Sequence, residues 1–228
     1  TDCLNVGTVT GTSTNINAGI GRVWANSTDL TLTVEDTYTL ADTNSVIIGK
    51  GGSKNLTILN EKGETLTTAT AITSFTDKTA YYGKAAVDGL SGLAYNTTWA
   101  IRQSDTPALT NWVTSGALYA PETDWVGSGT KNDPWIIKTA AELYGLADSV
   151  NEATSYEGKY FELGADITVN SGTASRWETE APKYTWIPIG TADQNGELKN
   201  PFKGHFNATG DVHQIKGLYA VGSASERT

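Results

Sequence analysis

Short runs of β-branched and aliphatic residues, each closed after a few positions by Gly, Asn or Asp, constrain this chain more than any other feature. Asp29-Leu-Thr-Leu-Thr-Val-Glu35 alternates polar and apolar side chains. That period of two places one set of residues on each face of a strand. Leu30 to Val34, Ser45 to Ile48, Asn55 to Leu59 and Thr65-Leu66 repeat the pattern between turn formers. Thr serves in strands nearly as well as Val because both are branched at Cβ. Composition agrees: 24 glycines accompany a hydrophobic share of only 38% and a charged share of 18%. An all-β fold of short strands and tight turns follows, as a sandwich, a barrel or a solenoid.

One segment departs from that period. Thr139-Ala-Ala-Glu142 has the form of a capping box, in which hydroxyl and carboxylate satisfy the free N–H groups of a helix start. Leu143, Leu146, Ala147 and Val150 follow at i, i+3, i+4 and i+7, on one helical face. The spacing predicts an amphipathic helix running to about Ala153. Tyr156 to Val169 and Trp186 to Ile189 then read as strands.

Function classes are bounded by charge. A formal net charge of −9 without a basic run argues against nucleic acid as partner, since phosphate binding rests on clustered Lys and Arg. No apolar stretch approaches the roughly 20 residues needed to cross a bilayer as a helix, so membrane insertion is not expected. The single cysteine, Cys3, permits no internal disulfide and reads as a small core residue, with no base assignable to it. The absence of methionine suggests an internal or processed piece of a longer chain.

Several motifs carry a resemblance. Gly127-Ser-Gly-Thr-Lys-Asn-Asp-Pro-Trp-Ile-Ile-Lys-Thr-Ala-Ala-Glu-Leu143, Gly158-Lys-Tyr-Phe-Glu-Leu-Gly-Ala-Asp-Ile167, Trp186-Ile-Pro-Ile-Gly190 and the glycine-rich run from Pro201 to Leu218 resemble the opening of bacterial surface β-helix proteins with GLUG-type repeats. Asp2-Cys-Leu-Asn-Val-Gly-Thr-Val-Thr-Gly11 and Ala18-Gly-Ile-Gly21 are similar to a repeat coil of that family. Ala85 to Leu90, Trp99 to Arg102 and Thr106 to Leu109 resemble its closing strands. Residues 30–79 match poorly.

The resemblance implies right-handed parallel β-helix or solenoid pieces with one short capping α-helix. It divides the chain into a C-terminal-type β-rich module over 1–113, a junction over 114–133, and a helix-capped start of a second module over 134–228. Solenoid coils bury their inward residues only against neighbouring coils, and an uncovered coil offers unpaired N–H and C=O groups to another chain. The expected role is therefore a non-catalytic structural or adhesive module, secreted or at the cell surface, that can assemble end to end into a fibre. Its partners would be copies of itself or neighbouring modules of the same chain. The alternative is a module binding carbohydrate or host surface proteins; a polysaccharide-degrading β-helix enzyme ranks lower.

His205 and His213 lie eight residues apart with Asp211 nearby, but no ligand pair has the tight spacing of structural zinc. Glu35-Asp36 and Glu178/Glu180 supply oxygen ligands suited to calcium, without an EF-hand or nonapeptide pattern. No cofactor and no catalytic set are expected. Among seven tryptophans, Trp135 and Trp186 sit among Ile and Pro and read as core. Trp24, Trp125 and Trp177 have polar neighbours and are the candidate ligand-facing aromatics. Asn26, Asn55, Asn96 and Asn207 open N-glycosylation acceptor patterns.

Overall fold

A computed structural model describes residues 3–5, 18–22, 30–33, 37–39, 46–49, 56–59, 65–66, 78–190, 192, 196–207 and 212–221. The chain is mainly β and forms two compact units, one of residues 1–94 with 104–107, the other of 95–103 with 108–228. Residues 114–133 thus fall inside the second unit.

In the first unit, β1 (Cys3–Asn5), β2 (Ala18–Arg22) and β3 (Leu30–Thr33) are followed by β4 (Thr37–Thr39), β5 (Val46–Gly49) and β6 (Leu56–Leu59). β1 pairs with β4, β2 with β5 and β3 with β6, every pair parallel. Three successive strands therefore meet three later strands in the same order, each after the long crossover that parallel pairing requires. Residues 30–79, which match the repeat pattern poorly, contribute β3 to β6 to this arrangement. A last strand, β7 (Thr65–Leu66), turns back antiparallel on β6.

Where a closing strand was expected at 85–90, Ala85–Gly89 forms a short helix, α1, after a 3-10 turn at Lys78–Tyr81. Two alanines are strong helix formers, and Lys84 and Asp88 form an i,i+4 ion pair at 3.2 Å on its surface. Ala86, Leu90 and Leu93 are buried beneath it. The described residues thus hold two α-helices, not one.

The second unit opens with β8 (Trp99–Arg102). Next, β9 (Asp105–Leu109) begins in the first unit and ends in the second. The short β10 (Ala117–Leu118) pairs antiparallel with β8, and Ala100, Val113 and Ala117 pack together. Asn96, with φ +63, is tied down rather than free: its Nδ2 donates to Ala120 O at 3.1 Å and to Glu122 Oε1 at 2.8 Å, and its Oδ1 accepts from Ala120 N.

Then come β11 (Trp135–Ile137), α2 (Ala140–Asn151), β12 (Tyr160–Leu163), β13 (Ile167–Thr168), β14 (His205–Asn207) and β15 (Ile215–Lys216). β11, β12 and β14 form one parallel sheet with β12 central, and β13 pairs parallel with β15. The expected capping box is present: Glu142 N donates to Thr139 Oγ1 at 3.1 Å and Thr139 N to Glu142 Oε2 at 3.0 Å. Leu143, Leu146, Ala147 and Val150 are all buried, as their spacing requires. Gly145 lets the helix approach the backbone of Glu122 so closely that a Cβ there would overlap its carbonyl.

Trp186 to Ile189 does not form a strand. Pro188 lacks the N–H a ladder needs, and Trp186 N instead makes a single bond to Tyr219 O.

Candidate cavity in the second unit

The chain leaving β13 is pinned by Asn170, a buried side chain with every bond made. Its Nδ2 donates to Tyr184 O at 2.7 Å and to Gly217 O at 2.9 Å, and its Oδ1 accepts from Tyr184 N at 2.9 Å. Gly217 has φ +75, and a Cβ there would run into the Asn170 backbone, so only glycine fits. Asn170 thus ties the two ends of residues 171–184 together and to Gly217, just after β15.

Between those ends the chain bulges outward. A 3-10 turn at Ala174–Arg176 is followed by bonds from Thr179 N and Glu180 N to Arg176 O, so Arg176, Trp177 and Glu180 lie close together. Lys183 closes the excursion: its Nζ donates to Thr110 O at 2.6 Å and stands 5.3 Å over the Tyr184 ring.

Tyr119 and Tyr184 stack at 3.9 Å with an interplanar angle of 19°, and Tyr144 meets Tyr119 edge-on at 5.4 Å. Burial disfavours the phenolate of all three. The Tyr119 hydroxyl, which donates to Val169 O at 3.5 Å, is pushed up to about 12, by desolvation first and then by the Tyr184 phenol stacked beside it. Tyr144 and Tyr184 are also raised, chiefly by burial, and Tyr144 donates to Thr185 O.

These elements border an open cleft of about 610 Å³, whose lining includes Tyr119, Tyr184, Thr173, Arg176, Trp177 and Glu180. Trp177 is half-buried and meets Tyr219 edge-on at 5.9 Å. Of the three candidate aromatics, Trp177 therefore borders a cavity. Trp125 is half-buried in a ring cluster with Trp135, Tyr156 and Phe161, and its Nε1 donates to Glu142 O at 3.2 Å. Trp24 lies outside the described residues. Trp112, not singled out by its sequence context, is the most solvent-exposed described tryptophan at 74%.

The two histidines are separated. His205 stacks on Tyr160 at 4.3 Å, whereas His213 Nδ1 lies 3.6 Å from Asp166 Oδ1. Asp166 also accepts from Gln214 N at 2.9 Å and faces Lys216 Nζ at 3.5 Å; the backbone bond leads in holding its carboxyl below the usual carboxylate range. Asp211 and the pair Glu35-Asp36 lie outside the described residues, while Glu178 and Glu180 are exposed. Among the described residues, no three His, Cys, Asp or Glu side chains gather as metal ligands, and no helix is long and apolar enough to cross a membrane.

Comparison with protein-family models, curated proteins and solved structures gives no match to this chain.

Proposed function

We propose that this chain is a non-catalytic structural or adhesive module of a secreted or cell-surface repeat protein, built from β-solenoid coils that continue by stacking against a further coil. The supporting observation is the column Trp135, Phe161, Phe206. These side chains share one register position on β11, β12 and β14. Phe161, in the middle, is completely buried, whereas Phe206 on the outer strand is 39% exposed. A parallel column, buried inside and open at its outer layer, is what one-dimensional stacking produces. Val212, Leu218 and Val221, in the same coil, are exposed as well. The occupant fitting this face is another coil of the same kind, from a second copy or a neighbouring module, because β14 is the outer strand of its parallel sheet among the described residues.

Negative-stain imaging and sedimentation across a concentration series test this reading. Regular filaments or end-to-end oligomers, lost in Phe206→Asp with the melting curve unchanged, are expected. A chain that stays monomeric at high concentration, or a variant that associates as the parent does, would overturn it.

A further inference from the structure

We infer that the cavity bordered by Trp177, Arg176 and Glu180 is a saccharide-binding site. Its volume of about 610 Å³ falls within the roughly 300–1,000 Å³ of small-molecule sites. Its lining is unusual for an apolar ligand. Ser171, Thr173, Arg176 and Glu180 bring hydroxyl, guanidinium and carboxylate groups to the space. Among the described residues, none of these side chains, nor the Trp177 indole N–H, has a protein hydrogen-bond partner across the cavity. An apolar occupant would strip water from these groups and return no bonds, at a cost that rules it out as a good ligand.

A polyanion is equally unsuited. Lys183 is already committed to Thr110 O, and the Glu180 carboxylate repels a phosphate placed beside Arg176. What remains is a neutral ligand with many hydroxyls and one apolar face. A sugar ring meets that description: its C–H face covers the indole of Trp177, while neighbouring hydroxyls take bonds from Arg176 and give bonds to Glu180. Arg176 donates in a planar fork and a carboxylate accepts at two oxygens, so each can engage two adjacent hydroxyls. The half-buried indole packs against Tyr219 in a T-shaped contact at 5.9 Å, which fixes the plane of the ring.

This inference does not depend on end-to-end stacking, because none of these residues lies on β14. The test is a glycan array carrying neutral oligosaccharides, probed with the full chain and followed by calorimetry on the strongest oligosaccharide. The parent should bind at least one, Trp177→Ala should weaken it more than tenfold, and Glu180→Gln and Arg176→Ala should each weaken it several-fold. Trp112→Ala, at the exposed indole, should bind as the parent does. Arg176 and Glu180 are exposed, so their variants decide the matter even if Trp177→Ala fails to fold. An array left blank by the parent, including one where only peptides are captured, would overturn the inference. So would binding indifferent to Glu180→Gln and Arg176→Ala, or binding lost equally in Trp112→Ala.

Discussion

Phe161 and Phe206 occupy the same register position on adjacent parallel strands, yet the first is wholly buried and the second 39% exposed. Truncating them should separate their roles. Phe161→Ala removes a ring packed against Trp125, Trp135, Tyr156 and Phe202 and should cost about 3–5 kcal/mol. Phe206→Ala should cost no more than about half as much, since its ring is only partly withdrawn from water. Denaturant unfolding of the two variants measures the difference.

Asn170→Ala would leave Tyr184 N, Tyr184 O and Gly217 O without their side-chain partner. At about 1–3 kcal/mol for each buried group left unsatisfied, the loss should be several kcal/mol unless water enters. Hydrogen exchange should then accelerate at Tyr184 before it changes in α2.

Thr139→Ala removes the cap of α2 and should destabilise by about 0.5–2 kcal/mol. Thr139→Ser keeps the hydroxyl and should retain most of that stability. Thermal melts of both variants provide the comparison.

At alkaline pH the tyrosine cluster sets the direction. In the folded chain Tyr119 ionises near 12, against about 10 when unfolded. The unfolded state therefore gives up its proton first, and stability is intact below pH 10 and falls as pH rises from there through 12. Absorbance of tyrosinate should lag behind that of free tyrosine and then rise together with loss of structure.

Asp166 acts in the opposite sense. Its carboxyl is held low by the bond from Gln214 N, so its contribution is present above the ordinary carboxylate value and is lost as pH falls through the lowered one. Asp166→Asn should flatten the acid limb of a stability-against-pH curve, and the carboxyl resonance of Asp166 should titrate below the ordinary aspartate value.

How much of this was legible depends on how far apart the partners lie. The capping box of Thr139 and Glu142 and the stripe from Leu143 to Val150 are local, and both appear where their spacing predicts. Trp186 to Ile189 reads as a strand and forms none, whereas the strands at Leu30–Thr33, Val46–Gly49, Leu56–Leu59 and Thr65–Leu66 were legible for the same reason. Their pairing was not: Trp135 meets Phe161 after 26 positions, but Phe161 meets Phe206 after 45, so no fixed period runs along the chain. Burial is equally non-local. The polar neighbours of Trp125 point to an outward ring, whereas Trp135, Tyr156 and Phe161 close around it from later in the chain. Trp177 has a similar local context and ends beside a cavity, whose Tyr119 and Tyr184 meet across 65 positions. At Ala85–Gly89 a resemblance to strands gave way to the helix preference of the residues themselves.

The unequal path lengths between stacked positions have an evolutionary consequence. Residues 171–184 begin and end at the Asn170–Tyr184 clasp, so their length is uncoupled from the register of β13 with β15. Doubling such an excursion adds only about 0.6 kcal/mol of closure entropy. The cavity wall can therefore be rewritten by insertion and deletion while the strands hold their places, leaving one frame able to carry many different recognition surfaces.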